Sequence, residues 1–235
     1  MAYEIKKVFD FLKHLKYNNK TEWMHEHREE YLAAKEVTIR IAQETLGHLS
    51  SQYPWMANAD ARRLLYRINR DTRFSLDKST YYTHMGFWLP TVGIKKMCGG
   101  FLIYLQPEDE DGNYFTSTMI CAGLYNPPSK VAKEVREEID EHGDRLRAII
   151  NSKEFKEAGW EIYDKERLKV LPKHLKGSEY VDLISLKNWS LWRSFTEEEV
   201  LREDFIPTVM KAFDVAVAWN NFFDPIVKFV QEEED

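Results

Sequence analysis

Six basic side chains, Arg62, Arg63, Arg67, Arg70, Arg73 and Lys78, fall between positions 62 and 78, in company with two acids, Asp71 and Asp77. Arginine presents a planar fork of donors that matches a carboxylate or phosphate bidentately, and lysine adds a point charge. Asp71 and Asp77 could orient those cations. Tyr82 and His84 follow two residues apart, a spacing that puts both on one face of an extended strand. Histidine titrates near neutral pH and can move protons. The reading is therefore a pocket for a small anionic ligand, bearing phosphate or carboxylate. Arg67, Arg70, Arg73, Lys78 and Tyr82 are its binding residues, with His84 and Asp71 available for acid–base work. Such a pocket suits binding as well as catalysis, so turnover stays open. Two alternatives compete with it. Asp71–Arg73 and Asp77–Lys78 could be turn chemistry and surface ion pairs worth ~0–1 kcal/mol each. The segment could also serve a non-catalytic module that binds protein or nucleic acid.

Those residues need elements to hold them. Leu64, Tyr66 and Ile68 alternate with polar neighbours and predict a strand over 64–69, and Thr80 to Leu89 reads as a second. Arg67 and Asn69 then face away from Tyr66 and Ile68. Phe101 to Gln106 and Tyr114 to Tyr125 read as a hairpin around a turn-rich loop. Ahead of the strands, Ile5, Val8, Phe9, Leu12 and Leu15 share a helix face. Thr21 is placed to cap a longer helix reaching Leu49, with Trp23, His27 and Tyr31 on one side. After the strands, Ser129 is placed to cap a helix to about Ile150. Glu154 to Ala158 and Tyr180 to Lys187 read as short helices, and Trp189 to Phe195 as a strand. Thr196 to Glu199 has the order of a capping box. A final helical stretch from Asp204 to Val230 carries Pro225, which predicts a kink or a restart. Strands in the middle with helices at both ends give an α+β fold: one domain over 1–235, a mostly antiparallel sheet, and a frayed acidic tail at 231–235. Leu64, Tyr66, Ile68, Leu102, Tyr104, Ile120, Phe9 and Leu12 are the expected core.

The 235 residues carry a net charge of −6, which disfavours nucleic acid as a partner without excluding it. The acids concentrate from Thr196 onward, where 11 face 3 bases. No apolar run approaches the ~18 residues of a membrane span, and no signal peptide is legible, so the cytoplasm is the default expectation. Cys98 and Cys121 fall short of a disulfide framework or metal motif. His25-Glu26-His27 lacks the spacing of a zinc helix, and His27 reads as a hydrogen-bonded core residue. Phosphate loops, nucleophile elbows and dinucleotide fingerprints are absent, so no cofactor is implied. No pattern specifies an oligomeric state.

The stretch Arg67-Ile68-Asn69-Arg70-Asp71-Thr72-Arg73-Phe74-Ser75-Leu76-Asp77-Lys78, with Tyr81-Tyr82-Thr83-His84, resembles the signature of domain-of-unknown-function family 2461, a set of conserved hypothetical proteins. Phe11-Leu12-Lys13-His14-Leu15 with Asn18-Asn19, Trp23, His27-Arg28 and Tyr31 is similar to that family's opening. Ala122-Gly123-Leu124-Tyr125 and Leu183 to Lys187 are similar to its later segments. Thr80 stands where the family usually shows Pro, and Tyr82 where it often shows Lys, so this chain offers no lysine at that position. The resemblance implies membership over nearly the whole chain and carries no assigned activity.

Overall fold

A computed structural model describes residues 4–73, 76–92, 98–109 and 115–233. Five strands form one antiparallel sheet in the order β1-β2-β3-β5-β4, flanked by helices, which makes the fold α+β. The strands are β1 (Met85–Pro90), β2 (Gly99–Leu105), β3 (Thr118–Leu124), β4 (Glu161–Ile162) and β5 (Trp189–Phe195). The helices are α1 (Ile5–Tyr17), α2 (Thr21–Glu26), α3 (Arg28–Leu49), α4 (Ser129–Asn151), α5 (Lys153–Glu157), α6 (Val181–Ile184), α7 (Glu197–Val200) and α8 (Phe205–Glu232). The chain divides into two compact units. The first comprises residues 1–89, 102–120 and 194–210, the second 90–101, 121–193 and 211–235.

In the first unit, α1 buries Ile5, Val8, Phe9, Phe11, Leu12 and Leu15 along one face and packs on α3. Three- and four-residue spacing aligns these side chains, and their removal from water holds the helix in place. The expected single helix from Thr21 is broken. At His27 the backbone leaves helical geometry (φ −104°, ψ 24°), and its imidazole lies over Trp23 at 4.1 Å. His27 Nδ1 also sits 2.9 Å from the Trp23 carbonyl, so His27 is hydrogen-bonded, but at a half-buried junction. The N-cap of α2 is Lys20, without a side-chain bond, and Thr21 is the first helical residue. The N-cap of α4 is likewise Pro128 rather than Ser129. The capping box at Thr196 and Glu199 forms with both of its bonds.

The expected strand at 64–69 is only an extended segment with isolated bridges at Leu65–Phe87 and Asn69–Tyr81. Backbone bonds from Tyr66 to Gly86 (2.9 Å) and from Tyr82 to Ile68 (2.7 Å) anchor its two ends. With no continuous ladder, strict alternation is not enforced. Leu64 and Ile68 are buried four residues apart, while Tyr66, expected in the core, is 44% exposed. The second strand is shorter than expected and begins at Met85. At Gly86 an added Cβ would lie 2.4 Å from the Ile103 carbonyl, so only glycine lets β1 approach β2 this closely. The remaining expected core residues, Phe9, Leu12, Leu102, Tyr104 and Ile120, are buried.

In the second unit three tryptophans satisfy their indole N–H groups internally. Trp160 donates to Ala212, Trp189 to Leu183 and Trp219 to Trp189. Gly123 (φ +102°) passes so close to Trp189 that a Cβ would lie 2.2 Å from its carbonyl oxygen. Helix α8 runs through Pro225 as one element and buries Trp219, Phe222 and Phe223, leaving Phe229 exposed. Residues 234 and 235 of the expected acidic tail, and Tyr114 of the expected hairpin, lie outside the described residues.

Candidate functional site

Within the first unit, residues from three separate stretches of sequence line one concavity of about 220 Å³. Asn19, in the turn after α1, sets its frame. Its side-chain amide donates to the Tyr81 carbonyl (2.9 Å) and its side-chain oxygen accepts from the Tyr81 N–H (2.8 Å). This two-way clamp fixes the extended stretch that carries Tyr82 and His84.

Asp77 is the acceptor around which the 70–79 turn closes. One carboxylate oxygen accepts from the Ser79 N–H (2.9 Å) and the Ser79 hydroxyl (2.6 Å), and the other from Arg70 Nη1. These Ser79 hydrogen bonds, followed by Arg70, hold the Asp77 carboxyl well below the usual carboxylate range. The Arg70 side chain is only 10% exposed, and its guanidinium lies 5.5 Å from the Tyr82 ring centre. An arginine so oriented is pre-positioned, which lowers the entropy lost when a ligand engages it. Lys16, from α1, pairs with Asp109 at 2.7 Å on the same lining.

His84 lies between two rings, 4.9 Å from Tyr82 and 4.3 Å from Tyr104. Tyr104 donates to Gln106 Oε1 (2.9 Å), and the Gln106 side-chain amide donates to the Phe115 carbonyl (2.8 Å), so this aromatic wall is locked from behind. Burial, reinforced by the Arg70 charge, pushes the His84 imidazole down to about 4, so it is neutral at pH 7. The lining thus holds two cations, two carboxylates and a neutral base. Such a set can orient an anionic group and can accept a proton or hydrogen bond at the imidazole. Among the described residues no group of three or more His, Cys, Asp or Glu side chains is placed to hold a metal ion.

Of the seven residues selected from sequence, Arg70, Tyr82 and His84 line this concavity. Arg67 lines a different depression, which shares His84. Asp71 and Arg73 pair with each other at the surface (2.6 Å), and Lys78 donates to the Thr72 carbonyl (2.9 Å). The structure does not bring these three to the concavity. Lys16, Asn19, Tyr104, Gln106 and Asp109 were not selected. The Asn18-Asn19 helix break was their one legible trace, because each reaches the site through tertiary packing.

The family described as conserved hypothetical protein, domain-of-unknown-function family 2461, matches residues 7–222. The chain belongs to that family. No curated protein and no solved structure matches it. In this family 2461 member the signature segment 67–84 divides between two depressions and an exposed turn.

Proposed function

We propose that the concavity binds a small molecule carrying a phosphate or carboxylate group. The observation that carries this reading is the convergence of Lys16, Arg70, Tyr82 and His84 on one hollow. Asp77 and Asp109 hold the two cations in position in the ligand-free protein, so a ligand meets a pre-built site. The dispersal of the basic segment supports a pocket over a nucleic-acid strip. Arg70 is nearly buried, Arg67 faces another depression and Arg73 is engaged by Asp71. A second, catalytic reading is favoured by His84, whose neutral imidazole can take a proton from a bound hydroxyl or water.

An anion beside His84 favours the imidazolium, so binding takes up a proton and strengthens as pH falls from 7.5 toward 5. Calorimetry with sulfate, whose charge is constant over that range, measures this. Its affinity should rise with a slope of up to about tenfold per pH unit in the protein as isolated. The slope should vanish in His84→Gln, and Arg70→Lys should weaken binding. Absence of binding, or a slope that survives in His84→Gln, rejects the reading.

A further inference from the structure

We propose that the second depression, which shares His84 with the first, binds an organic anion with a flat apolar body, of the class of aryl phosphates and aryl carboxylates. It measures about 170 Å³ and lies within the first unit. Its charged lining consists of Lys35, Arg62 and Arg67, and no aspartate or glutamate lines it among the described residues. Carboxylates do lie near two of these cations. Glu36 approaches Arg62 at 4.0 Å with both side chains more than half exposed, and Asp71 acts on Arg67 electrostatically while pairing with Arg73. Exposed pairs of this kind are weak and leave a net positive rim. The first concavity differs, since there each lining cation has a carboxylate partner on the same lining.

The rest of the depression is apolar or aromatic. Ile68 and Met85 are buried residues, and Tyr31 and Tyr66 are tyrosines of the same lining. Lys35 Nζ stands 6.0 Å from the Tyr31 ring centre, so cation and ring already share one side of the hollow. Tyr66 is 44% exposed at a position where sequence periodicity expected a core residue. A tyrosine left open beside three cations is a surface on which a planar group can stack. The cationic rim selects the anionic end of a ligand, and the apolar lining selects its body.

The inference goes beyond the first concavity and is tested separately from it. Phenyl phosphate, inorganic phosphate and benzyl alcohol are titrated into the full chain by calorimetry. Phenyl phosphate should bind at least about tenfold more tightly than either of the others, because only it meets both halves of the depression. Arg67→Gln and Tyr66→Ala should each weaken phenyl phosphate about tenfold while leaving sulfate affinity unchanged. Thermal melts of both variants should match the wild type, since both side chains are exposed. Benzyl alcohol or inorganic phosphate binding as tightly as phenyl phosphate overturns the inference. So does phenyl phosphate binding that Arg67→Gln leaves intact or that Arg70→Lys alone removes. Salt-dependent binding of a short oligothymidylate that Arg67→Gln abolishes would assign the face to a polyanion and overturn it too. Failure of sulfate to bind rejects the first reading and leaves this one standing.

Discussion

In the first unit a base, His84, lies between the Tyr82 and Tyr104 rings. In the second an acid, Asp224, is buried with the Thr91 hydroxyl donating to it at 2.5 Å. Burial disfavours the charged form of each, so the shifts run in opposite directions. His84 is pushed down to about 4, and Asp224 is pushed up to about 6, chiefly by burial and against the pull of Thr91 and Lys228. The neighbouring Cys98 thiol rises to about 11, through burial and then the Asp224 charge, and is no nucleophile at neutral pH. His84 opens onto a lined concavity, whereas Asp224 spends its hydrogen bonding on Thr91 inside the fold. A shifted titration therefore marks burial in both places, and only the shape of the surroundings distinguishes a site from a core.

The largest change expected from breaking this comparison is Tyr104→Ala. It removes a buried ring packed on His84 and should cost ~3–5 kcal/mol by denaturant unfolding. Water entering beside the imidazole should also raise its titration toward the ordinary value, read by NMR of the His84 ring. An unchanged midpoint with intact stability would show that Tyr104 does not enforce the burial.

The two pH profiles come next in size. The folded value of His84 lies below its ordinary 6.5, so the unfolded chain takes up the proton first as pH falls. Its contribution is full above 6.5 and drains away between 6.5 and about 4, by at most about 3 kcal/mol. The folded value of Asp224 lies above its ordinary 3.8, so the folded chain takes up the proton first. Its cost is full above about 6 and is relieved between 6 and 3.8, by a similar amount of at most about 3 kcal/mol. Between pH 6 and 4 the two oppose each other and flatten the wild-type curve. Asp224→Asn should raise stability at pH 8 and expose a fall in stability on acidification. His84→Gln should expose a rise. Urea titrations across pH 4 to 8 check both signs, and parallel curves for the two variants would contradict the assignment.

The smallest effects lie in the signature turn itself. Arg73→Ala and Asp71→Asn, an exposed pair, should leave the melting temperature unchanged within error, as is usual for surface ion pairs. Arg70→Ala should lower it clearly, because the Arg70 side chain is nearly buried and anchors on Asp77. Equal responses at Arg70 and Arg73 would erase the distinction between the lined half of the segment and its exposed half.

The sequence by itself determined what periodicity and local chemistry can carry: the amphipathic faces of α1 and α4, β5 over 189–195, the Thr196 capping box, the α+β class, and family membership through the 67–84 signature. Each depends on residues within a few positions of one another. Tertiary structure alone decided which of the clustered cations share a hollow. Sequence proximity put Arg67, Arg70, Arg73 and Lys78 together, but an extended, bridged backbone sends neighbouring side chains in different directions. Arg70 is tied to Asp77, and Arg67 is left to a second depression. The break at His27 and the exposure of Tyr66 were hidden for a related reason. Helical or strand spacing shows which face a residue shares, and only the packed partners show whether that face is covered. Lys16, Tyr104, Gln106 and Asp109 entered the site from distant elements, because the sheet and the Asn19 clamp on Tyr81 bring those elements together.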